Sequence, residues 1–210
     1  MTETLNIAQL CPETRVLGPG KRFVIWVQGC PFRCAECVAP DWISIENKSL
    51  VSINDLADRI TAIRDLEGVT LSGGEPFLQA EGLATLVRQI RKVKPQLSVI
   101  AFSGFTLGQL RRKARTDPRI REFLNELDVL IDGLYRADLN DDLGLRGSSN
   151  QRIYFLTPRY RNRKAEFERR SREIEIHTLE KEMLMVGVPS ARSLKIFQSL
   201  PQKIAGHFPS

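Results

Sequence analysis

Three of the four cysteines lie close together, and their spacing is typical of a metal site. Cys30, Cys34 and Cys37 follow a C-x3-C-x2-C pattern within eight residues. Thiolate ligands favour zinc, Cu(I) or iron–sulfur clusters over hard cations. A structural zinc site needs four protein ligands, and Cys11 is the one possible fourth thiolate. A [4Fe-4S] cluster held by three cysteines instead keeps one iron open for a small molecule.

A glycine-rich turn about one βα unit downstream is the second stretch that could do chemistry. Residues 69–76 read Val-Thr-Leu-Ser-Gly-Gly-Glu-Pro, an apolar strand that runs into a turn. Gly73 and Gly74 free the backbone to approach a ligand closely, and Glu75 supplies an anionic acceptor for an ammonium group.

The two motifs, in this order and at this separation, resemble the radical S-adenosylmethionine (SAM) superfamily. The resemblance implies that the three cysteines hold a [4Fe-4S] cluster, whose open iron binds the amino and carboxylate groups of the methionyl part of SAM. The residues implied to bind the methionyl group are Gly73, Gly74 and Glu75, with Pro76 shaping the turn.

The elements that must position these motifs alternate along the chain. Apolar strands are predicted at Arg22–Val27, which we expect to be the first strand of the core, and at Val69–Leu71, Leu97–Phe102 and Asp128–Gly133. Helices are predicted from Ser52, and over Gln79–Lys94, Thr106–Arg115 and Pro118–Leu127. Such alternation predicts βαβ units and a parallel sheet, so the expected fold class is α/β with a partial (incomplete) parallel β/α barrel. The loop that carries the three cysteines, here called the cluster loop, then begins at the carboxyl end of a strand, where α/β folds place their ligands.

Further stretches narrow the resemblance to activating proteins of glycyl-radical enzymes, above all those that serve anaerobic ribonucleotide reductase. These stretches are residues 18–30, 103–105, 128–133 and 145–152, within a similarity that covers roughly residues 5–156. The resemblance implies that SAM is cleaved to methionine and a 5′-deoxyadenosyl radical, which takes a hydrogen atom from a backbone glycine of the partner. It also implies two protein partners: a glycyl-radical enzyme, with class III ribonucleotide reductase expected, and a low-potential electron donor such as flavodoxin or ferredoxin.

Several other residues are candidates for contact with SAM. Glu36 stands where many superfamily members carry an aromatic residue beside the adenine, and its backbone is expected to face that ring. Ser103 and Asp132, at strand outlets, either bind the ribose or carboxylate end of the cofactor or cap loop amides. Three further candidates lie on the long loop 135–151: Arg146, Ser148 and Asn150. They are candidates to line the cofactor site or the entrance for the partner's glycine loop, and the alternative is that they form a structural turn. No acid–base side chain is required by the implied chemistry, and we predict none.

Two other functions compete with this interpretation. The first keeps the radical chemistry but modifies another protein, a peptide or a small molecule, although about 200 residues leave little room for a substrate-enclosing cap. The second is a zinc-binding nucleic-acid module that uses Cys11 and the basic segment Arg159–Arg172. That segment holds seven Lys/Arg and two Glu, but too few aromatic residues for a base-stacking platform, so nucleic acid is not expected as a partner.

Length and composition predict a single globular unit. The chain has 210 residues, of which 42% are apolar and 27% charged. We expect residues 1–158 to form the radical SAM core. Residues 159–210 should add a basic segment, a β-hairpin (174–176 with 183–186) and a helix (190–200), packed on the same domain. Reduced clustered thiols, short apolar runs and a polar N-terminus predict a cytoplasmic protein without a membrane span.

Overall fold

The computed structural model describes residues 3–178 and 183–199. Its strands are β1 (Thr4–Thr14), β2 (Arg22–Val27), β3 (Leu50–Ser52), β4 (Gly68–Gly73), β5 (Ser98–Ser103), β6 (Val129–Asp132), β7 (Arg152–Phe155), β8 (Ile174–Thr178) and β9 (Met183–Gly187). Its helices are α1 (Ile53–Ala62), α2 (Ala80–Val93), α3 (Leu107–Lys113), α4 (Pro118–Asn125), α5 (Lys164–Glu168) and α6 (Ala191–Ser199). The four predicted strands and the helices between them are thus present, with ends that differ by a few residues.

Seven strands form one mixed sheet in the order β3-β1-β2-β4-β5-β6-β7. The four central strands β2, β4, β5 and β6 are parallel, which confirms the predicted α/β class with a mostly parallel sheet. The outer strands β1, β3 and β7 pair antiparallel with their neighbours. This order leaves β3 and β7 as open edges, and the curvature of a partial barrel stays a prediction.

The expectation that Arg22–Val27 is the first strand is wrong, because β1 precedes it. In β1 the regular alternation of buried and exposed residues is interrupted, and its pairing with β2 shifts register between Ile7 and Gln9 and between Cys11 and Thr14. An irregular antiparallel strand of this kind leaves only a weak periodic signal in the sequence.

One face of the sheet is covered by helices α1 to α4. The hydroxyl of Ser52 accepts a hydrogen bond from the Asp55 N–H and so caps α1, as predicted. Thr106 forms a capping box with Gln109 at the start of α3. Buried Leu, Ile, Val and Phe side chains from these helices and from the sheet make the larger core cluster. Among the described residues no helix is both long enough and apolar enough to cross a bilayer.

The other face of the sheet is covered by the C-terminal part of the chain. Ile100 and Val129 pack in one cluster with Tyr160 and Phe167, and Val186 belongs to a second cluster on the same face. Strands β8 and β9 form a separate two-stranded sheet, which confirms the predicted hairpin. The predicted end of the last helix at Leu200, and everything after it, lies outside the described residues. The proposed division of the chain at residue 158 stays a prediction.

A buried arginine ties this C-terminal part to the amino ends of the central strands. Arg22 is 0% exposed, and its guanidinium donates to the hydroxyls of Thr70 at 2.7 Å and Ser98 at 3.0 Å. The hydroxyl of Tyr160 lies 2.8 Å from a carboxylate oxygen of Glu67 and 2.7 Å from the hydroxyl of Ser98, and its single proton is donated to one of the two at a time. Burial lowers the pKa of Arg22, and the neighbouring Tyr160 and Glu67 offset only part of this effect. The network fixes the end of the sheet remote from the site described next.

Candidate active site

A cavity of about 250 Å³ lies at the carboxyl ends of the central strands. It brings together most of the residues of the two motifs. The predicted site residues that line it are Cys30, Cys34, Cys37, Gly73, Gly74, Glu75 and Ser103. The predicted site residues that lie outside this lining are Glu36, Pro76, Asp132, Arg146, Ser148 and Asn150.

The loop that carries the cysteines leaves β2 and is held at its base by hydrogen bonds. The side-chain amide of Gln28 donates to the carbonyls of Asp41 at 3.1 Å and Ser44 at 2.8 Å. The N–H of Gly29 donates to the carbonyl of Trp42 at 2.9 Å. These contacts close the loop, so that its first and last residues meet and the three half-buried cysteines between them face one cavity.

The three thiols are of the ligand type that iron–sulfur clusters use. Burial, with a smaller contribution from neighbouring thiolates, raises the pKa of Cys30 to about 11 and also raises the pKa of Cys34. In the described part of the chain, no group of three or more His, Cys, Asp or Glu side chains is placed to hold one metal ion. In a [4Fe-4S] cluster each cysteine ligates its own iron, so the three sulfurs need not converge on one point. The donor set therefore suits a [4Fe-4S] cluster with one open iron.

The Gly-Gly-Glu-Pro turn packs directly against the start of the cluster loop. Gly73 has a φ of +106°, and a Cβ there would lie 2.5 Å from the backbone nitrogen of Val27. The N–H of Gly74 donates to the Val27 carbonyl at 2.7 Å, and the N–H of Glu75 donates to the Gly29 carbonyl at 2.8 Å. A Cβ on Gly74 would lie only 2.1 Å from the Gly29 oxygen. Both glycines are therefore required for the close approach of the two backbones.

The carboxylate of Glu75 is 1% exposed and already has three protein donors. It accepts from the N–H of Phe77 at 3.0 Å, from the hydroxyl of Ser103 at 2.9 Å and from the N–H of Gly104 at 2.8 Å. Burial raises the pKa of Glu75 to about 7, and these hydrogen bonds oppose the rise. The carboxylate therefore fixes the turn after β5 as well as lining the cavity.

Asp132, at the outlet of β6, is placed as a cap for α3. It is buried, and it accepts from the N–H of Leu107, the first residue of that helix, at 2.5 Å. The N–H of Arg152 donates to its other oxygen at 3.4 Å. Desolvation raises the pKa of Asp132. Of the two interpretations open from the sequence, these contacts correspond to capping of loop and helix amides.

The long loop after β6 is organised by the residues that were candidates for cofactor contact. Arg146 pairs with Asp141 at 2.5 Å, and Ser148 accepts from a backbone N–H of the same loop at 3.1 Å. The side-chain amide of Asn150 donates to a loop carbonyl at 2.8 Å. Gln151, which sequence reasoning missed, does line the cavity, and its amide donates to the carbonyl of Gly133 at 2.6 Å.

Two tryptophans supply aromatic surface that the sequence analysis did not assign to the site. Trp26 and Trp42 line the cavity, with ring centroids 5.8 Å apart. Glu36, at the position where an aromatic residue was expected, is exposed. The position of Trp26 could have been predicted from the sequence, because alternation along β2 points it to the opposite face from Ile25. Trp42 reaches the cavity only through the closure of the cluster loop.

Comparison with known proteins agrees with this geometry. A family model described as a 4Fe-4S single cluster domain matches residues 16–154. An anaerobic ribonucleoside-triphosphate reductase-activating protein of Pasteurella multocida is 35% identical, over 73% of this chain and 99% of the relative. The protein of the same name from Escherichia coli K12 is 31% identical, over 72% and 99%. The pyruvate formate-lyase 1-activating enzyme of that organism is 32% identical, over 64% and 54%.

Residues 16–154, which the family model matches, include both chemical motifs and the four parallel strands that position them. The cofactors expected from the motifs, a [4Fe-4S] cluster and SAM, are those of this family. The chain belongs to the radical SAM family of glycyl-radical-enzyme activating proteins.

Proposed function

We propose that the protein installs a glycyl radical on anaerobic, class III ribonucleotide reductase. The observation that carries the proposal is the junction of the cluster loop with the Gly-Gly-Glu-Pro turn, which places three thiols and a ligand-binding turn around one cavity. Relatives named as activating proteins of this reductase, including one from phage T4 that is 27% identical, support the choice of partner. A cytoplasmic location, expected from the clustered thiols, fits this partner.

The chain's own residues contribute ligation, orientation and exclusion of water. Bound together, a [4Fe-4S] cluster and SAM supply one-electron cleavage of a sulfonium. Cys30, Cys34 and Cys37 would hold the cluster. The backbone at Gly73 and Gly74 would bind the methionyl group, and Glu75 would keep that backbone in place through its three hydrogen bonds. No side chain is assigned a proton-transfer step.

The remaining candidates take supporting roles in this proposal. Ser103 lines the cavity and is held by Glu75, so it can contact the polar end of SAM. Asp132 keeps the start of α3 in place, and Arg146 shapes the long loop. Adenine would meet aromatic surface from Trp26 and Trp42 rather than the side chain of Glu36.

Four of the seven cations of the basic segment Arg159–Arg172 have acidic partners: Arg159, Arg163, Arg170 and Arg172. Arg159 lies 3.6 Å from Asp128, and Arg163 lies 2.5 Å from Glu166. Exposed positive charge is concentrated instead at residues 111–121, which hold six Lys/Arg and one Asp. In the described part of the chain five of these cations have no acidic partner: Arg111, Arg112, Lys113, Arg115 and Arg121. We call residues 111–121 the basic face.

The basic face adjoins the cluster loop through two aromatic rings. The ammonium group of Lys113 lies 5.0 Å from the centre of the Phe105 ring, which contacts Phe32 at a centroid distance of 4.7 Å. Phe32 lies between the first two cysteines and lines the cavity. A groove of about 520 Å³ that includes Lys113 and Arg119 runs beside this face. These features support docking of an acidic low-potential carrier such as flavodoxin or ferredoxin here, by electrostatic complementarity.

The proposal is tested by anaerobic activation of the reductase. The reconstituted, reduced protein is mixed with SAM and class III reductase, and 5′-deoxyadenosine and the glycyl radical are measured by chromatography and electron paramagnetic resonance (EPR). We expect both products from the native chain and neither from Cys34→Ala. The matched control Cys11→Ala should retain both, because Cys11 is buried outside the cavity lining and donates to the carbonyl of Glu13.

Other results would point to the competing functions. Release of 5′-deoxyadenosine without a radical on the reductase would contradict the partner and favour another protein, peptide or small molecule as substrate. A native chain that binds zinc but assembles no cluster would overturn the proposal and favour the zinc module.

A further inference from the structure

One wall of the cavity comes from a part of the chain that the family model does not match. Residues 187–194 run from the end of β9 through the first turn of α6. They contribute six lining residues: Gly187, Val188, Pro189, Ser190, Ala191 and Leu194. The match to the family model ends at residue 154. The P. multocida relative aligns over 99% of its own length with only 73% of this chain. We call residues 187–194 the C-terminal wall.

The C-terminal wall is apolar where it meets the rest of the cavity. Val188 packs in one cluster with Trp26 and Trp42, and so does the fully buried Val186, two residues before it. Pro189 and Leu194 add further apolar surface to the lining. Burial of such surface removes water from the cavity and from any ligand within it.

A buried arginine from the basic segment fastens this wall. The side chain of Arg172 is 2% exposed. Its guanidinium donates to the carbonyl of Pro189 at 3.2 Å and to the carbonyl of Gly147 at 3.1 Å, and both of these residues line the cavity. Its charge is balanced by Asp142 at 3.3 Å and Asp141 at 3.8 Å. The planar guanidinium can donate in several directions at once, which a lysine ammonium cannot reproduce with the same geometry.

We infer that the C-terminal wall completes the SAM cavity within this chain, and that Arg172 is the positioning residue that joins the wall to the long loop. The inference rests on the proposed function for the identity of the ligand. In this arrangement the enzyme encloses SAM on this side without help from the partner. Loosening the wall should therefore weaken SAM binding and admit water, while the cluster, held by the opposite loop, is retained.

The first test uses the two tryptophans of the chain, both of which line the cavity, in the full-length protein without its cluster. Acrylamide quenching of their fluorescence is compared in Arg172→Ala, Arg172→Lys and Arg169→Ala. We expect the quenching constant of Arg172→Ala to rise about twofold, because local opening exposes the indoles. Arg172→Lys should be intermediate. Arg169→Ala should match the native chain, since Arg169 is an exposed side chain of the same segment.

The second test measures SAM binding to the reduced holoenzyme by the change in its EPR spectrum. Leu194→Ala removes apolar surface from the C-terminal wall and leaves the Arg172 contacts intact. It therefore tests the role of the wall in SAM binding even if Arg172→Ala fails to fold. We expect SAM affinity to fall about tenfold in both variants, a loss of roughly 1.4 kcal/mol. The KM for SAM should rise while the iron content stays unchanged. Ile196→Ala, at a position 53% exposed on the same helix, is the matched control.

The outcomes separate this inference from the proposed function. Native SAM affinity in Leu194→Ala, together with native quenching and affinity in any folded Arg172→Ala, would overturn the inference and leave the function standing. A native holoenzyme that binds no SAM would instead contradict the proposed function, while the quenching comparison would still report whether Arg172 holds the wall closed.

Discussion

The hydroxyl of Ser103 donates a buried hydrogen bond of 2.9 Å to the carboxylate of Glu75, although the two residues lie 28 positions apart in the sequence. The N–H of Gly104 donates to the second oxygen of the same carboxylate at 2.8 Å. The turn after β4 and the turn after β5 are therefore held together by one side chain. Because that carboxylate is buried and accepts three hydrogen bonds, it holds the backbone of the Gly-Gly-Glu-Pro turn rigid.

Replacing this carboxylate should separate cofactor binding from cluster assembly. Glu75→Gln keeps the size of the side chain but places an amide where a carboxylate accepts from three donors, so at least one donor loses its partner. We expect SAM affinity to fall about tenfold to a hundredfold, since an unpaired buried donor costs about 1–3 kcal/mol. Iron and sulfide content should stay native. Isothermal titration of SAM into the reconstituted protein measures the loss.

The matched control is Glu36→Gln, which neutralises an exposed carboxylate within the cluster loop. Its SAM affinity should equal that of the native chain. Equal losses in the two variants would show that charge alone, rather than the hydrogen bonds of Glu75, governs binding.

The raised pKa of Glu75 predicts a dependence of stability on pH in the protein without its cluster. Burial raises this pKa from 4.5 to about 7, so between these values the folded state holds more protons than the unfolded state. The free energy of unfolding should therefore fall as pH rises from about 5 to 7, by at most about 1.4 kcal/mol per pH unit. Urea denaturation at several pH values measures this slope. The Glu75→Gln variant should lack the part of this slope that comes from Glu75. A slope identical to the native one would contradict the assignment of this pH dependence to Glu75.

The contact between Gly74 and Gly29 predicts a steric requirement at the turn. In Gly74→Ala the new methyl group would lie 2.1 Å from the Gly29 oxygen, so the turn or the cluster loop must move. We expect a destabilisation of about 1–3 kcal/mol, as for other overpacked sites, and a loss of cluster content. Thermal unfolding and iron analysis test this.

Gly108→Ala serves as the reference for that substitution. Gly108 lies within α3, and a Cβ there meets nothing closer than 4.0 Å. Replacement should stabilise the helix by about 0.5–1 kcal/mol. A Gly74→Ala protein that is as stable and as iron-rich as Gly108→Ala would show that the two backbones do not need their close approach.

The basic face predicts salt-sensitive reduction of the cluster. In the double variant Arg111→Glu with Arg112→Glu, the rate of cluster reduction by reduced flavodoxin should fall about tenfold at low ionic strength. The difference should shrink near 0.5 M salt, because screening removes the long-range attraction. Stopped-flow absorbance follows the reaction. Arg161→Glu with Arg169→Glu, exposed on the C-terminal segment, gives the matched charge change and should leave the rate near native.

The two motifs could be predicted because their chemistry is local in sequence. Cys30, Cys34 and Cys37 belong to one loop, and the glycines at 73 and 74 directly follow an apolar strand. Parallel strands bring their carboxyl ends to one edge, so the meeting of these motifs follows from the alternation of strands and helices alone.

Other parts of the site depend on packing that no local pattern records. The sequence could not decide between cofactor contact and capping for Asp132, because the choice depends on where the first N–H of α3 lies. Arg172 stands in a run of cations that is typical of a solvated surface, yet it is buried against two backbone carbonyls. Residues 187–194 reach the cavity only because the hairpin before them packs on the open face of the sheet.

The network around Arg22 has a consequence for shortened versions of this protein. Tyr160 lies beyond the last residue that the family model matches, yet it shares Ser98 with the guanidinium and covers Ile100 and Val129. A gene shortened to the matched length would leave a sheet face bare to solvent. Residues beyond the matched length thus supply apolar cover that the central strands of this chain need on that face.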